Sequence, residues 1–142
     1  MKNTNRILML SLTILAISLS CSKECNDCLE LTSKSIKYID ANGANLLFGS
    51  QAIYDPDSIT VKVGDDNDIL VEQREEDGTI VFNIEAPYTT YYLVLPGSLM
   101  DTLDFELAER KSTLCCGNVV YSTKTLLNGS EIENDDLIVI AR

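Results

Sequence analysis

Histidine and tryptophan are absent from this chain of 142 residues, and the missing imidazole removes whole classes of chemistry. No Ser-His-Asp or Cys-His catalytic arrangement can be assembled, and no His-ligated zinc or haem site can exist. Carboxylates, thiols, lysine and tyrosine are what remain for catalysis. Cations are scarce too: 11 Lys and Arg stand against 22 Asp and Glu, a formal net charge of −11. Such a surface repels phosphate backbones and anionic headgroups, which excludes nucleic acid as an expected partner. The apolar run at the start of the chain is also short. It covers residues 7–17, whereas a membrane-spanning helix needs roughly 20 apolar residues.

What is present around that run is an address. Lys2 and Arg6 precede it, and Ser18 and Ser20 put small residues at the −3 and −1 positions before Cys21, the layout of a secretory signal peptide. Loss of residues 1–20 would leave nine cations against 22 acids, a net charge of −13. A thiol directly after the small residue is where a bacterial cell attaches diacylglycerol, and the segment ending in Cys21 resembles a lipobox, with Ser18 standing where leucine is commonest. Lipidation of Cys21 would leave four thiols, an even number suited to an oxidising compartment. The membrane is then reached through acyl chains, each buried methylene adding about 0.8 kcal/mol. Residues 21–33, CSKECNDCLELTS, read as a polar tether, and 34–142 as one domain.

From Lys34 onward, short runs of Ile, Val, Thr, Tyr and Phe alternate with Gly, Asn and Asp clusters, the punctuation of strands and turns. Runs at 35–40 and 46–48 flank Asn42-Gly43. Runs at 59–63, 69–74 and 80–84 are separated by tight polar turns and predict an antiparallel meander. The stretch 91–95, YYLVL, is apolar throughout and predicts a central strand covered on both faces. In 101–110, Leu103, Phe105 and Leu107 alternate with Thr102, Asp104 and Glu106, which favours a strand over a helix. Residues 119–125 should pair with it, residues 126–129 should turn, and 137–141 should close the chain as a last strand. Eight or nine strands without an amphipathic helix predict an all-β fold, an antiparallel two-sheet β-sandwich of immunoglobulin-like or transthyretin-like kind.

Candidate sites are few. Cys25 and Cys28 form a C-x-x-C, and Cys115 and Cys116 are adjacent. A redox pair and a four-thiolate zinc site compete as readings with disulfides, which an oxidising compartment favours. A bond between the two neighbours would be strained, because bridged Cα atoms usually sit ~5.5–6 Å apart and sequence neighbours only ~3.8 Å. At least one link from Cys25 or Cys28 to Cys115 or Cys116 is therefore expected. Asp65, Asp66 and Asp68 are weak calcium candidates because they lack the spacing of an EF-hand loop. Tyr88, Tyr91 and Tyr92 could form an aromatic platform for a sugar or peptide, or fill core.

The string DTLDFELAERKSTLCCGNVVYSTKTLLNG resembles the C-terminal half of small lipoproteins common in Bacteroidota, particularly flavobacteria, and IDANGANLLF resembles the opening of that group's domain. The resemblance covers most of the mature chain. It implies an envelope lipoprotein with a β-sandwich and carries no catalytic residue across. In that phylum a lysine or acidic cluster after the lipidated cysteine resembles a surface-export signal. Here Ser22-Lys23-Glu24 is followed by Cys25, so the periplasmic face and the cell surface both stay open.

The expected function is thus that of an outer-membrane lipoprotein whose sandwich is a non-catalytic binding or interaction module for an envelope protein or glycan, without a cofactor. The alternatives are a hydrolase built on two carboxylates and a structural accessory subunit of an outer-membrane complex. Non-reducing intact mass with peptide mapping, on protein taken from its own membranes, should show Cys21 acylated and the other four thiols short of protons in pairs. An unmodified Cys21 with reduced thiols would overturn both expectations.

Overall fold

The computed structural model describes residues 33–64, 67–111 and 118–142. Alternation through SKSIKYI turns Lys34, Ile36 and Tyr38 inward and makes strand β1 (Ser33–Ile39). The chain then reverses, because Asp40 Oδ1 accepts the N–H groups of Asn42 (2.9 Å) and Ala44 (2.8 Å) and Gly43 takes φ +84°. The expected return strand at 46–48 is reduced to one bridge between Ile39 and Asn45. Its cause is local: the Asn45 side-chain oxygen accepts from Leu47 N (2.8 Å) and Phe48 N (3.0 Å), winding the chain and dropping Leu46 and Leu47 into the core.

The remaining strands are β2 (Thr60–Val63), β3 (Asn67–Ile69), β4 (Glu72–Arg74), β5 (Thr79–Asn83), β6 (Thr90–Leu95), β7 (Leu99–Lys111), β8 (Asn118–Leu127), β9 (Ser130–Ile132) and β10 (Leu137–Ala141). They form a four-stranded sheet in the order β10-β1-β5-β4 and a six-stranded sheet in the order β3-β2-β6-β7-β8-β9. The fold is an all-β sandwich, as the sequence predicts. One pairing departs from the antiparallel expectation: β1 and β10 run parallel, Ser35 opposite Leu137 and Ile39 opposite Ala141. The expected turn at 126–129 narrows to Asn128-Gly129, since Leu126 and Leu127 stay in β8.

The predicted strand at 69–74 is two strands in opposite sheets. Ile69 already opposes Val61, one residue from the start of β2, so β3 has no further partner, and the chain crosses the sandwich at Leu70, which is 90% exposed. Glu72 to Arg74 then pairs with β5. The meander is therefore shared between the sheets. The prediction for YYLVL also needs correcting, because Tyr91, Leu93 and Leu95 are buried whereas Tyr92 and Val94 are only partly so. The strand is central within its sheet, yet apolarity on both faces here marks an apolar outer surface.

Between the sheets, the ring of Tyr91 lies 5.3 Å from Phe82 of β5 and 5.5 Å, edge-on, from Phe105 of β7. Burial of such rings dominates core energetics, with pair geometry adding roughly 0.5–1.5 kcal/mol. Gly78 sets the β4–β5 turn at φ +67°, and its carbonyl accepts from Asn45 Nδ2 at 2.7 Å. A Cβ there would stand 2.2 Å from that nitrogen. Gly78→Ala should therefore lose about 1–3 kcal/mol, read as a lower urea midpoint. Gly97→Ala has φ +78° but open space around it and should lose no more than about 1 kcal/mol. Equal losses would show that the Asn45 contact contributes nothing.

Candidate functional site: an aromatic groove on the outer sheet face

On β6 the even-numbered residues face out. Tyr92 stands between Lys62 of β2 and Thr102 of β7, and Val94 between Thr60 and Met100. These residues form a shallow hollow of about 300 Å³, lined by Lys62, Gly64, Tyr92, Val94 and Met100. A second hollow of about 370 Å³ adjoins it along Pro87, Tyr88, Thr89 and Thr90, sharing Gly64 and Tyr92. Gly64 makes the junction possible: at φ +56° its α-carbon lies against the Tyr88 ring, and a Cβ would come within 3.1 Å of Cε1. Two tyrosines thus line one continuous groove with a lysine and two threonines on its walls. A more voluminous hollow, about 580 Å³ along residues 72–76, is bounded by that single segment and has no opposing wall.

Of the three tyrosines picked out in the sequence, the structure brings Tyr88 and Tyr92 together and takes Tyr91 away. Tyr91 is buried, its hydroxyl accepting from Glu85 N at 2.7 Å and donating to Glu85 O at 3.3 Å. Burial raises its pKa above the usual tyrosine value. Asp68 is exposed and lies 4.0 Å from Lys62 Nζ. Cys21, Cys25, Cys28, Cys115, Cys116, Asp65 and Asp66 lie outside the described residues. Among the described residues no group of three or more carboxylates or thiols is gathered for a metal.

A polar cluster that the sequence reading missed lies inside. Asp101 is 2% exposed. Its Oδ2 accepts from the Tyr38 hydroxyl at 3.0 Å and from the Arg142 guanidinium, and its Oδ1 accepts from Asn128 Nδ2 at 2.9 Å. The signal was parity, since Asp101 shares the buried register of Leu103 and Phe105. Both carboxylate oxygens are thus taken up by donors from β1, the β8–β9 turn and the C-terminal residue, so that the side chain ties three parts of the fold together.

Burial first, and the Asp101 charge second, push the Tyr38 pKa far up. A proton held more tightly in the folded state adds stability that is complete below the ordinary tyrosine value of ~10 and is lost as pH rises above it. Absorbance at 295 nm should therefore leave Tyr38 and Tyr91, two of the six tyrosines, silent until alkaline unfolding. Tyr38→Phe should lose stability less steeply above pH ~10. Ionisation of all six near that pH in a still-folded protein would refute the burial argument. Comparison of the chain with protein-family models, with curated proteins and with solved structures finds no match to any of them.

Proposed function

We propose that the chain is a lipid-anchored lipoprotein of the bacterial outer membrane whose sandwich is a non-catalytic binding module, taking a glycan in the groove between Tyr88 and Tyr92. The observation that carries this reading is the placing of two partly exposed tyrosine rings with Thr89 and Lys62 along one groove, where Thr90 donates its hydroxyl to Asp104 Oδ1 at 2.6 Å. Aromatic faces receive the apolar C–H face of a sugar while hydroxyl and ammonium groups satisfy its hydroxyls. The anchor rests on Cys21 and the signal-like segment before it. A disulfide from Cys25 or Cys28 to Cys115 or Cys116 belongs to the same proposal. It is supported by the approach of β1's first residues to the distal half of the β7–β8 hairpin, since Lys34 shares a cleft with Arg110 and Tyr121.

A second reading, an accessory subunit docking on a partner's strand, draws on β10. Asp136 O accepts from Ser35 N and Arg142 N donates to Ile39 O, so even-numbered residues turn their backbone groups to β1. Leu137, Val139 and Ala141 turn theirs to an edge that pairs with nothing among the described residues, and Leu137 and Val139 are about half exposed. Such an apolar edge is a template for strand addition.

Saturation-transfer NMR with a panel of neutral oligosaccharides separates the two readings. Tyr88→Ala and Tyr92→Ala should each weaken sugar binding at least tenfold. Tyr88 also packs against the core and its variant should melt lower, so both are compared well below the lower melting temperature. Unchanged binding by both variants would sink the groove. Binding of no sugar, together with a stoichiometric partner lost on Val139→Lys, would favour the accessory subunit.

A further inference from the structure

A second, independent site lies where β1 begins. Lys34, Arg110, Tyr121, Ser122, Asn134 and Asp136 line a cleft of about 170 Å³. Lys34 is only 4% exposed, and its ammonium donates to Asp135 O at 2.9 Å and faces Asp136 Oδ1 at 3.5 Å. That carboxylate is itself 84% exposed. An ammonium carries three N–H donors, and a buried charge is costly unless it is well compensated. Among the described residues one donor is unassigned, and the counter-charge is 3.5 Å away and solvent-exposed. Arg110 rests its guanidinium 5.5 Å from the Tyr121 ring centroid and has no carboxylate partner among the described residues. Ser122 and Asn134 are occupied with each other: the Ser122 hydroxyl donates to Asn134 Oδ1 at 2.9 Å and Asn134 Nδ2 donates to Ser122 O at 2.8 Å. Among the described residues, the uncommitted donors of the cleft are those of Lys34 and Arg110.

We propose that this cleft binds a single carboxylate group, with the Arg110 fork taking its two oxygens and Lys34 supplying the second positive charge. A planar monoanion fits the guanidinium fork. A dianionic phosphate meets more repulsion from Asp135, Asp136 and a protein of net charge −11. The volume admits the carboxylate and its first carbons, so the rest of the ligand lies outside the rim. A peptide C-terminus and an acidic sugar present the same group. On binding, the exposed Asp136 side chain leaves Lys34 for water.

The test is ¹⁵N NMR on the full chain in detergent micelles at constant ionic strength, titrated with sodium acetate, glucuronate, N-acetylalanine, phosphate and chloride. Saturable shifts at Arg110 Nε–H and at the backbone of Tyr121 and Ser122 are expected with all three carboxylates, and Arg110→Gln should weaken them at least tenfold. Arg110 is exposed, so that variant keeps the fold. Lys34→Met should do the same, and if it unfolds, Tyr121→Leu, which removes the surface under the guanidinium, replaces it. Tighter binding of N-acetylalanine identifies a peptide terminus, tighter binding of glucuronate an acidic sugar, and equal binding the bare group. Chloride matching acetate, phosphate exceeding it, or Arg110→Gln binding undiminished would each overturn the proposal.

Discussion

A single buried carboxylate sets the relation between the two sheets. Asp101 sits on β7 in the six-stranded sheet, Tyr38 reaches it from β1 in the four-stranded sheet, Asn128 from the β8–β9 turn, and Arg142 from beyond β10. Removing one partner from a buried charge of this kind typically costs about 3–5 kcal/mol, because the charge is left uncompensated. Asn128 also exchanges hydrogen bonds with the backbone of Thr102, donating to its carbonyl at 2.8 Å and accepting its N–H at 2.9 Å. It does so at φ +50°, ahead of Gly129 at φ +79°. The Asn-Gly pair therefore makes a tight hairpin turn and orients a donor toward Asp101 at once.

The parallel pair of β1 and β10 explains why such a clamp is needed. Parallel neighbours cannot be joined by a tight hairpin that fixes their register. Register here is held at both ends by cations. Lys34 fastens the start of the pair to the carbonyl of Asp135, and Arg142, whose N–H donates to Ile39 O at 2.9 Å, fastens its finish to Asp101. Between them Ile36, Tyr38, Ile138 and Ile140 point into the core. A slip of β10 by one residue against β1 would turn Ile138 and Ile140 outward.

Short apolar and β-branched runs between turn signals, with period-two alternation in β2, β5 and β7, are enough to find β1, β2, β5, β7, β8 and β10 within a few residues. Alternation reports which side chains share a face and is silent on which sheet a strand joins. That is why Leu70, where the chain changes sheets, was invisible inside an apparently continuous run from 69 to 74. The Asn45 turn was hidden for a different reason, since its side chain competes with a ladder that LLF would otherwise support. Within the candidate groove, parity on β6 separates Tyr91 from Tyr92, but nothing local places Tyr88 beside Gly64, 24 residues earlier in the chain. Likewise Arg110 and Lys34 meet only through the packing of the two sheets.

The Tyr88 end of the groove lies away from the clamp, whereas its other end, at Val94 and Met100, reaches the level of Asp101 on the outer face of the sheet. β7 runs from the Asp101 cluster toward Arg110, and β6, antiparallel to it, starts with Thr90 opposite Asp104. The Tyr88 end of the groove therefore points the same way as the Lys34–Arg110 cleft, and β1 also begins at that end. The opposite end holds the buried carboxylate and the Asn128 turn. The clamp thus works inside the sandwich, whereas Tyr88 and Arg110 present their side chains near the end at which residue 33 begins β1.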